Sequence, residues 1–241
     1  MIEFKLDSRL DPHDLAKIYR RTGRLQISKF LSCESAQALH DELAGSTAWR
    51  LTANRGEEIM DFGPEALAKF TPDHWGKLRK AAALGGRYGF QFLYDTIRLP
   101  KTRAELAATS TLLARLSEFL SSSETIAFLR TLTGDSDVTF ADAHASRYLP
   151  GHFLTTHDDK MDDMGRRAAY VLNLSPNWRP DWGGLLLFYD GLGNVERGFT
   201  PGFNSLNIFA VPQPHSVSWV TPLAPAPRYA VTGWLRSGEP E

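Results

Sequence analysis

The spacing of apolar residues along this chain changes near its middle, and that change predicts how it folds. Before about Asp137 most apolar positions recur at helical spacing. Asp11-Pro12 reads as an N-cap followed by proline at the first helical position, opening a helix over His13–Arg21 that Gly23 ends. Leu25 to Phe30 alternates with period two and predicts a strand. Ser32 is placed to cap a helix running to about Ala44, with Ala36, Leu39 and Leu43 on one face and Gly45 as its stop. Thr47–Thr52 has strand character, Pro64–Leu84 and Arg103–Leu120 read as helical, and Glu124–Leu132 reads as a shorter helix. The series Tyr88, Phe90, Phe92 and Tyr94 fits packing in either a strand or a helix.

From Asp137 onward, short alternating runs are separated by Gly, Pro and Asn turns. Strands are expected at Val138–Leu149, Ala168–Leu174, Leu185–Tyr189, Ser205–Val211, Ser216–Val220 and Tyr229–Leu235, with Asp190–Phe199 among the mobile connections. Such a series predicts an antiparallel sandwich or barrel. Helices followed by strands give an α+β class with the helices packed on one face of the sheet. At 241 residues the chain fits one domain over 1–241, with 1–136 mainly helical and 137–238 forming the β core.

Composition narrows the function classes. Hydrophobic residues make up 42% and charged residues 23%, the profile of a soluble globular protein. Twenty-seven basic residues against 28 acidic ones give a formal charge of -1, so no nucleic acid is demanded as an obligatory partner. One cysteine, Cys33, rules out an internal disulfide and a cysteine-based zinc site, and it is expected as a packing residue near a helix start. No apolar run approaches membrane-spanning length and Met1–Lys5 lacks a signal pattern, so a cytoplasmic, membrane-free setting is expected.

The candidate chemistry lies in Thr155-Thr156-His157-Asp158-Asp159, with Pro214-His215 and Arg228 far downstream. Two imidazoles and one carboxylate can hold iron(II) on one face and leave the opposite positions open for co-substrate and oxygen. Zinc also accepts His-His-Asp, but the H-E-x-x-H pair common in catalytic zinc sites is absent. His157 and Asp159, two apart, share a face if the backbone between them is extended. Arg228 and Thr232 share a face of the following strand, directing a guanidinium and a hydroxyl together. Guanidinium binds carboxylate through paired charge-assisted hydrogen bonds, so a keto acid on the metal with a second carboxylate on Arg228 satisfies both ends.

From Ser146 to Arg236 the order and spacing of motifs resemble the 2-oxoglutarate- and iron(II)-dependent dioxygenases, in their prolyl hydroxylase branch. The motifs are Arg147-Tyr148-Leu149-Pro150-Gly151, Leu154–Asp159, Arg166–Leu174, Trp182–Phe188, Pro201–Leu206, His215-Ser216-Val217 and Arg228–Trp234. The likeness is greatest to the catalytic domain of the ribosomal-protein prolyl hydroxylases. It implies a double-stranded β-helix (jelly-roll, cupin-like) core, with His157, Asp159 and His215 as iron ligands and Arg228, Thr232 and Tyr148 at the co-substrate. Tyr170, Trp182 and Arg147 are implied as candidates on the substrate side. The resemblance also implies Fe(II), 2-oxoglutarate and O2, with ascorbate as a possible further cofactor, and oxidative decarboxylation coupled to C–H hydroxylation. Retention of Asp159 favours hydroxylation, since related halogenases carry a small residue there. The implied substrate is a prolyl residue in a protein or peptide, plausibly ribosomal. A free amino acid, another small molecule, or a non-catalytic metal and 2-oxoglutarate sensor are the alternatives. Two departures stand out: Val171 replaces a tyrosine of the oxygen-sensing enzymes, and the His215-to-Arg228 interval is longer, with Pro222, Pro225 and Pro227 within it.

Overall fold

Local capping chemistry sets most helix ends in the computed structural model, which describes residues 2–100, 105–106, 108–161 and 164–239. Asp11 accepts a hydrogen bond from the His13 N–H to open α1 (Pro12–Thr22), and Gly23 closes it in the left-handed conformation at φ 66°. Ser32 caps α2 (Cys33–Gly45) by accepting from the Ser35 N–H. Cys33 occupies the first turn of α2 as an exposed residue and not as a packing residue. The predicted Pro64–Leu84 helix is two helices, α3 (Pro64–Leu67) and α4 (Pro72–Tyr88). Pro72 forbids continuation from the preceding turn, and Thr71 with His74 builds a capping box that starts the chain afresh. Thr111 and Ser122 cap α5 (Leu112–Leu120) and α6 (Ser123–Thr133). The expected Arg103–Leu120 helix covers α5, and residues 103, 104 and 107 of it lie outside the described residues.

The strands are β1 (Arg24–Ser28), β2 (Arg50–Arg55), β3 (Glu58–Phe62), β4 (Phe92–Arg98), β5 (Phe140–Ala141), β6 (His144–Tyr148) and β7 (Phe153–His157). They continue with β8 (Arg166–Asn173), β9 (Leu186–Tyr189), β10 (Val195–Phe199), β11 (Ser205–Ala210), β12 (His215–Val217) and β13 (Arg228–Arg236). Antiparallel pairing runs β1-β11-β8-β13-β6-β4-β7-β12-β9-β10, with β2 and β3 added beside β4 and β5 beside β13. β4 turns the corner: Asp95–Arg98 pair with β6, while Phe92 and Leu93 pair with β7. The sheet thereby rolls into a nearly closed barrel. Its seam between β1 and β10 is bridged by the Arg24–Glu196 ion pair and by the Gln26 side-chain amide donating to the Thr200 carbonyl.

Alternation along the central strands separates two cores. Ala168, Tyr170 and Leu172 of β8 and Tyr229, Val231 and Leu235 of β13 pack with Leu39, Leu43, Leu116 and Leu129 of the helices. Ala169, Val171 and Ala230 point the other way, into the barrel, beside Phe188, Phe199 and Phe209. This is the expected α+β double-stranded β-helix with helices on one face. The first half gives it more strand than the helical spacing suggested, since β1 and β4 each need a partner far away in sequence.

Candidate metal and co-substrate site

His157 ends β7, His215 opens β12, and the two are directly paired across the strands with ring centroids 4.1 Å apart. Asp159 lies beyond the end of β7, so extended alternation does not explain its direction. A left-handed residue at φ 62° turns the carboxylate back toward the imidazoles, a conformation aspartate tolerates better than most side chains. His157 Nε2 then lies 3.4 Å from Asp159 Oδ1, and His215 Nε2 lies 3.5 Å from Oδ2. One donor atom from each of the three falls within 4.8 Å of the others, a grouping that can hold a metal ion.

The tautomers agree with that use. His157 Nδ1–H donates to the Thr155 carbonyl at 2.9 Å, and His215 Nδ1–H donates to the Gln213 carbonyl at 2.8 Å. A carbonyl can only accept, so each neutral ring presents the Nε2 lone pair to the carboxylate. Burial lowers the His215 pKa to about 4, which keeps that ring neutral. Lone pair thus faces carboxylate, an arrangement that a cation between them resolves. Burial pushes the Asp159 carboxyl up. Where the rings carry an Nε2 proton in place of a metal, the His157 contact, His215 and the Trp234 indole more than offset this and hold it below the usual carboxylate range.

Arg228 stands elsewhere on the inner face of β13, 1% exposed and among the largest fully buried side chains. Its Nη2 donates to Asn173 Oδ1 at 3.2 Å and its guanidinium lies 5.1 Å from the Tyr148 ring centroid. Its Nε has no partner, and among the described residues no carboxylate pairs with it. An unpaired buried guanidinium costs several kcal/mol, and burial lowers the Arg228 pKa accordingly. A ligand carboxylate would supply the missing charge. Gly184 makes room, since a Cβ there would come within 2.9 Å of Arg228 Cδ.

One wall joins the two ends. Phe90 packs 5.4 Å from His157, and the rings then run Phe90–Phe92 at 5.8 Å, Phe92–Tyr94 at 5.6 Å and Tyr94–Tyr148 at 5.1 Å, to Arg228. Triad, aromatic wall and buried arginine share the interior of one β-helix. Residues 143–236 match the family model described as the 2OG-Fe(II) oxygenase superfamily. The barrel carries that match along β6 to β13. Its chain is 30% identical over 116 residues to mouse prolyl 3-hydroxylase OGFOD1, covering 45% of this chain and 21% of that protein. The chain therefore spans about a fifth of that relative's length. In fold it is similar to a Pseudomonas putida prolyl-4-hydroxylase, with a TM-score of 0.59 at 19% identity over 95% of this chain and 100% of the other. It is also similar to a Trichoplax adhaerens prolyl hydroxylase solved with a hypoxia inducible factor peptide fragment, with a TM-score of 0.57 at 17% identity over 94% and 89%.

Within the barrel the remaining expected residues divide. Thr232 and Tyr148 face inward with Arg228, and Thr232 Oγ1 lies 2.9 Å from His144 Nε2. Trp182 packs edge-on against Trp178 at 5.3 Å, in the cluster around Tyr148. Tyr170 points outward into the helix-side core and donates its hydroxyl to the Asp142 carbonyl, so it does not reach the triad. Arg147 also faces outward, paired with Asp95 at 2.8 Å and lying over Trp49. Neither of those two joins the site. Conversely, Tyr94, Asn173, His144, Arg166 and Trp234 belong to the interior. The period-two aromatics leading into β4 and the Arg228-x-x-x-Thr232-x-Trp234 spacing were the signals available for two of them.

Proposed function

We propose that this chain is an Fe(II)- and 2-oxoglutarate-dependent dioxygenase that hydroxylates a prolyl residue in a protein. The observation that carries the proposal is a buried, unpaired Arg228 in the same barrel as a His-Asp-His triad. A metal on the triad and a dicarboxylic keto acid spanning to Arg228 would satisfy both at once. With those bound, the chemistry supplied is insertion of one oxygen atom of O2 into an unactivated C–H bond, while the other passes to 2-oxoglutarate as it becomes succinate and carbon dioxide. The protein's residues position and enclose. Arg228 and Asn173 take the distal carboxylate, with Thr232 and Tyr148 beside it. The Phe92 and Tyr94 rings, less exposed than Phe90, keep water from the reacting side.

Support for a peptide over a small molecule comes from the shape beside His157. Phe90, whose ring lies 5.4 Å from His157, is one of the residues lining a cavity of about 540 Å³, with Asn54, Ile59, Tyr88, Gln91 and Phe92 among the others. Tyr88 is 83% exposed and Phe90 49%. An open aromatic trough suits an extended prolyl-containing segment, since proline rings dock on aromatic surfaces. We further propose that the chain works as one catalytic domain over 1–241 in the cytoplasm. In this proposal its substrate is ribosomal or translation-associated, and ascorbate keeps the iron reduced. Among the described residues no helix is long and apolar enough to cross a membrane.

The test is anaerobic reconstitution with Fe(II), followed by 2-oxoglutarate turnover with candidate peptides and mass spectrometry for a gain of one oxygen atom. Succinate formation should require both iron and the right peptide, and His157→Ala should abolish it in a protein that still melts cooperatively. Binding of 2-oxoglutarate without turnover on any peptide would favour a sensor, and turnover on a free amino acid would favour the small-molecule alternative.

A further inference from the structure

Asp159 leans on two residues that the metal and co-substrate assignments leave unused. Arg166, at the start of β8, donates through Nη1 to the Asp159 carbonyl at 3.1 Å and lies 3.9 Å from Asp159 Oδ1. Its guanidinium lies flat against the Trp234 ring, 3.6 Å from the centroid. The Arg166 side chain is 11% exposed, so this stack is an interior feature. Trp234, six residues beyond Arg228 on the inward face of β13, carries a buried indole N–H with no hydrogen-bond partner. Arg166 lies against both that ring and the Asp159 carboxylate, at 3.6 and 3.9 Å. A buried donor left unpaired is costly, so a donor kept in that state beside a carboxylate needs a reason.

The carboxylate supplies one. Its two oxygens are divided between the two imidazoles, Oδ1 toward His157 and Oδ2 toward His215. A carboxylate that binds a cation through one oxygen has to place the other, and the vacant donor at hand is the Trp234 indole. We infer that Trp234 and Arg166 are positioning residues for Asp159: Arg166 clamps the left-handed turn through the backbone carbonyl, and the Trp234 indole N–H receives the carboxylate oxygen that does not bind metal. This rests on the metal-binding assignment of the triad. It adds that one-oxygen binding by Asp159 is imposed by the protein.

The test uses metal binding by the full chain and needs no substrate. Stripped wild-type protein and Trp234→Phe, which keeps a ring under Arg166 but removes the N–H, are titrated anaerobically with Co(II), followed by visible absorption. The variant should bind about 10- to 100-fold more weakly, the usual loss when a group supporting a ligand is removed. Its Co(II) spectrum should shift, because Asp159 can then swing to bind through both oxygens. Equal affinity and an unchanged spectrum would overturn the inference. A wild-type protein that takes up no Co(II) would instead overturn the triad assignment beneath it. A second measurement avoids substitution. With the six tryptophans labelled with ¹⁵N in wild-type protein, Zn(II) should move one indole N–H resonance downfield and slow its solvent exchange. If no indole signal moves, Trp234 does not donate.

Discussion

At the scale of single residues, the site puts binding ahead of stability. Arg228 is fully buried with one weak neutral partner and a tyrosine face, and such a charge destabilises the empty protein. Replacing it with an apolar side chain of similar length should therefore help the fold while ruining the site. Arg228→Met is expected to stabilise the ligand-free chain by about 1–4 kcal/mol in urea denaturation, the range found when buried ionic groups give way to hydrophobic ones. It should also lose the thermal stabilisation that 2-oxoglutarate gives wild type, about 2.7 kcal/mol at a concentration 100 times the Kd. A variant less stable than wild type, yet still stabilised by 2-oxoglutarate, would remove Arg228 from the co-substrate's distal end. The grouping of His157, Asp159 and His215 and the burial of Arg228 were legible because their identities and order carry chemistry that few other arrangements need. The direction of Asp159 was legible only by accident: strand alternation pointed it correctly, whereas a left-handed turn beyond the end of β7 does the work. Tyr170 and Arg147 failed as site residues for a related reason. Each sits one position out of phase with inward-facing neighbours, and a one-residue shift on a strand exchanges barrel interior for helix-side core.

Elements were legible where local chemistry decides them and obscure where a distant partner does. Asp11 and Ser32 announced their helices because an N-cap is local. β4 could not be told from a helix by its aromatic spacing alone, because its identity as a strand comes from distant β6 and β7, where Asp95 meets Arg147 and Phe92 meets Leu154. β10 read as a mobile connection since four of its five residues are exposed, so it shows no apolar alternation, and only its pairing with β9 makes it a strand. The start of α5 shows the same dependence. Beyond its own Thr111 cap, the Glu42 carboxylate of α2 accepts from the Leu112 and Leu113 N–H groups at 2.7 and 3.1 Å. A carboxylate on two unpaired amides at a helix N-terminus is worth on the order of 1–2 kcal/mol, combining a capping bond with the favourable helix-end charge. Glu42→Ala should lower unfolding free energy by that amount, with Glu42→Gln in between. The loss should weaken when salt is raised, which urea titrations at two ionic strengths will show. A Glu42→Ala chain as stable as wild type would make this inter-helix cap decorative.

Across the whole molecule, burying histidines in the barrel ties stability to pH. His144 and His152 are each held by burial at a pKa of about 4, against 6.5 for an unhindered imidazole. Below 6.5 the unfolded chain takes up protons that the folded chain refuses, and stability must fall with pH until the folded pKa is reached. The loss spans roughly pH 6.5 to 4 and amounts to as much as about 1.4 kcal/mol per pH unit for each group. Asp95 and Asp142 work in the opposite sense. Burial holds both above the usual carboxylate range, so the folded chain binds their protons first and acidification through that range returns some stability. The carboxylate effect runs from the raised folded pKa down to 3.8, where an unhindered aspartate takes up its proton as well. His152 is the cleaner of the two to remove, since its Nδ1 has no partner while His144 is hydrogen-bonded to Thr232. His152→Gln leaves a side chain that cannot take up the proton in either state. Its destabilisation relative to wild type at pH 7 should therefore shrink by about 2 kcal/mol at pH 5, where wild type alone has lost the imidazole contribution. Paired urea titrations at the two pH values measure that difference directly. A gap of equal size at both would mean that His152 titrates alike in the folded and unfolded chain, and that its burial does not govern the acid limb of stability.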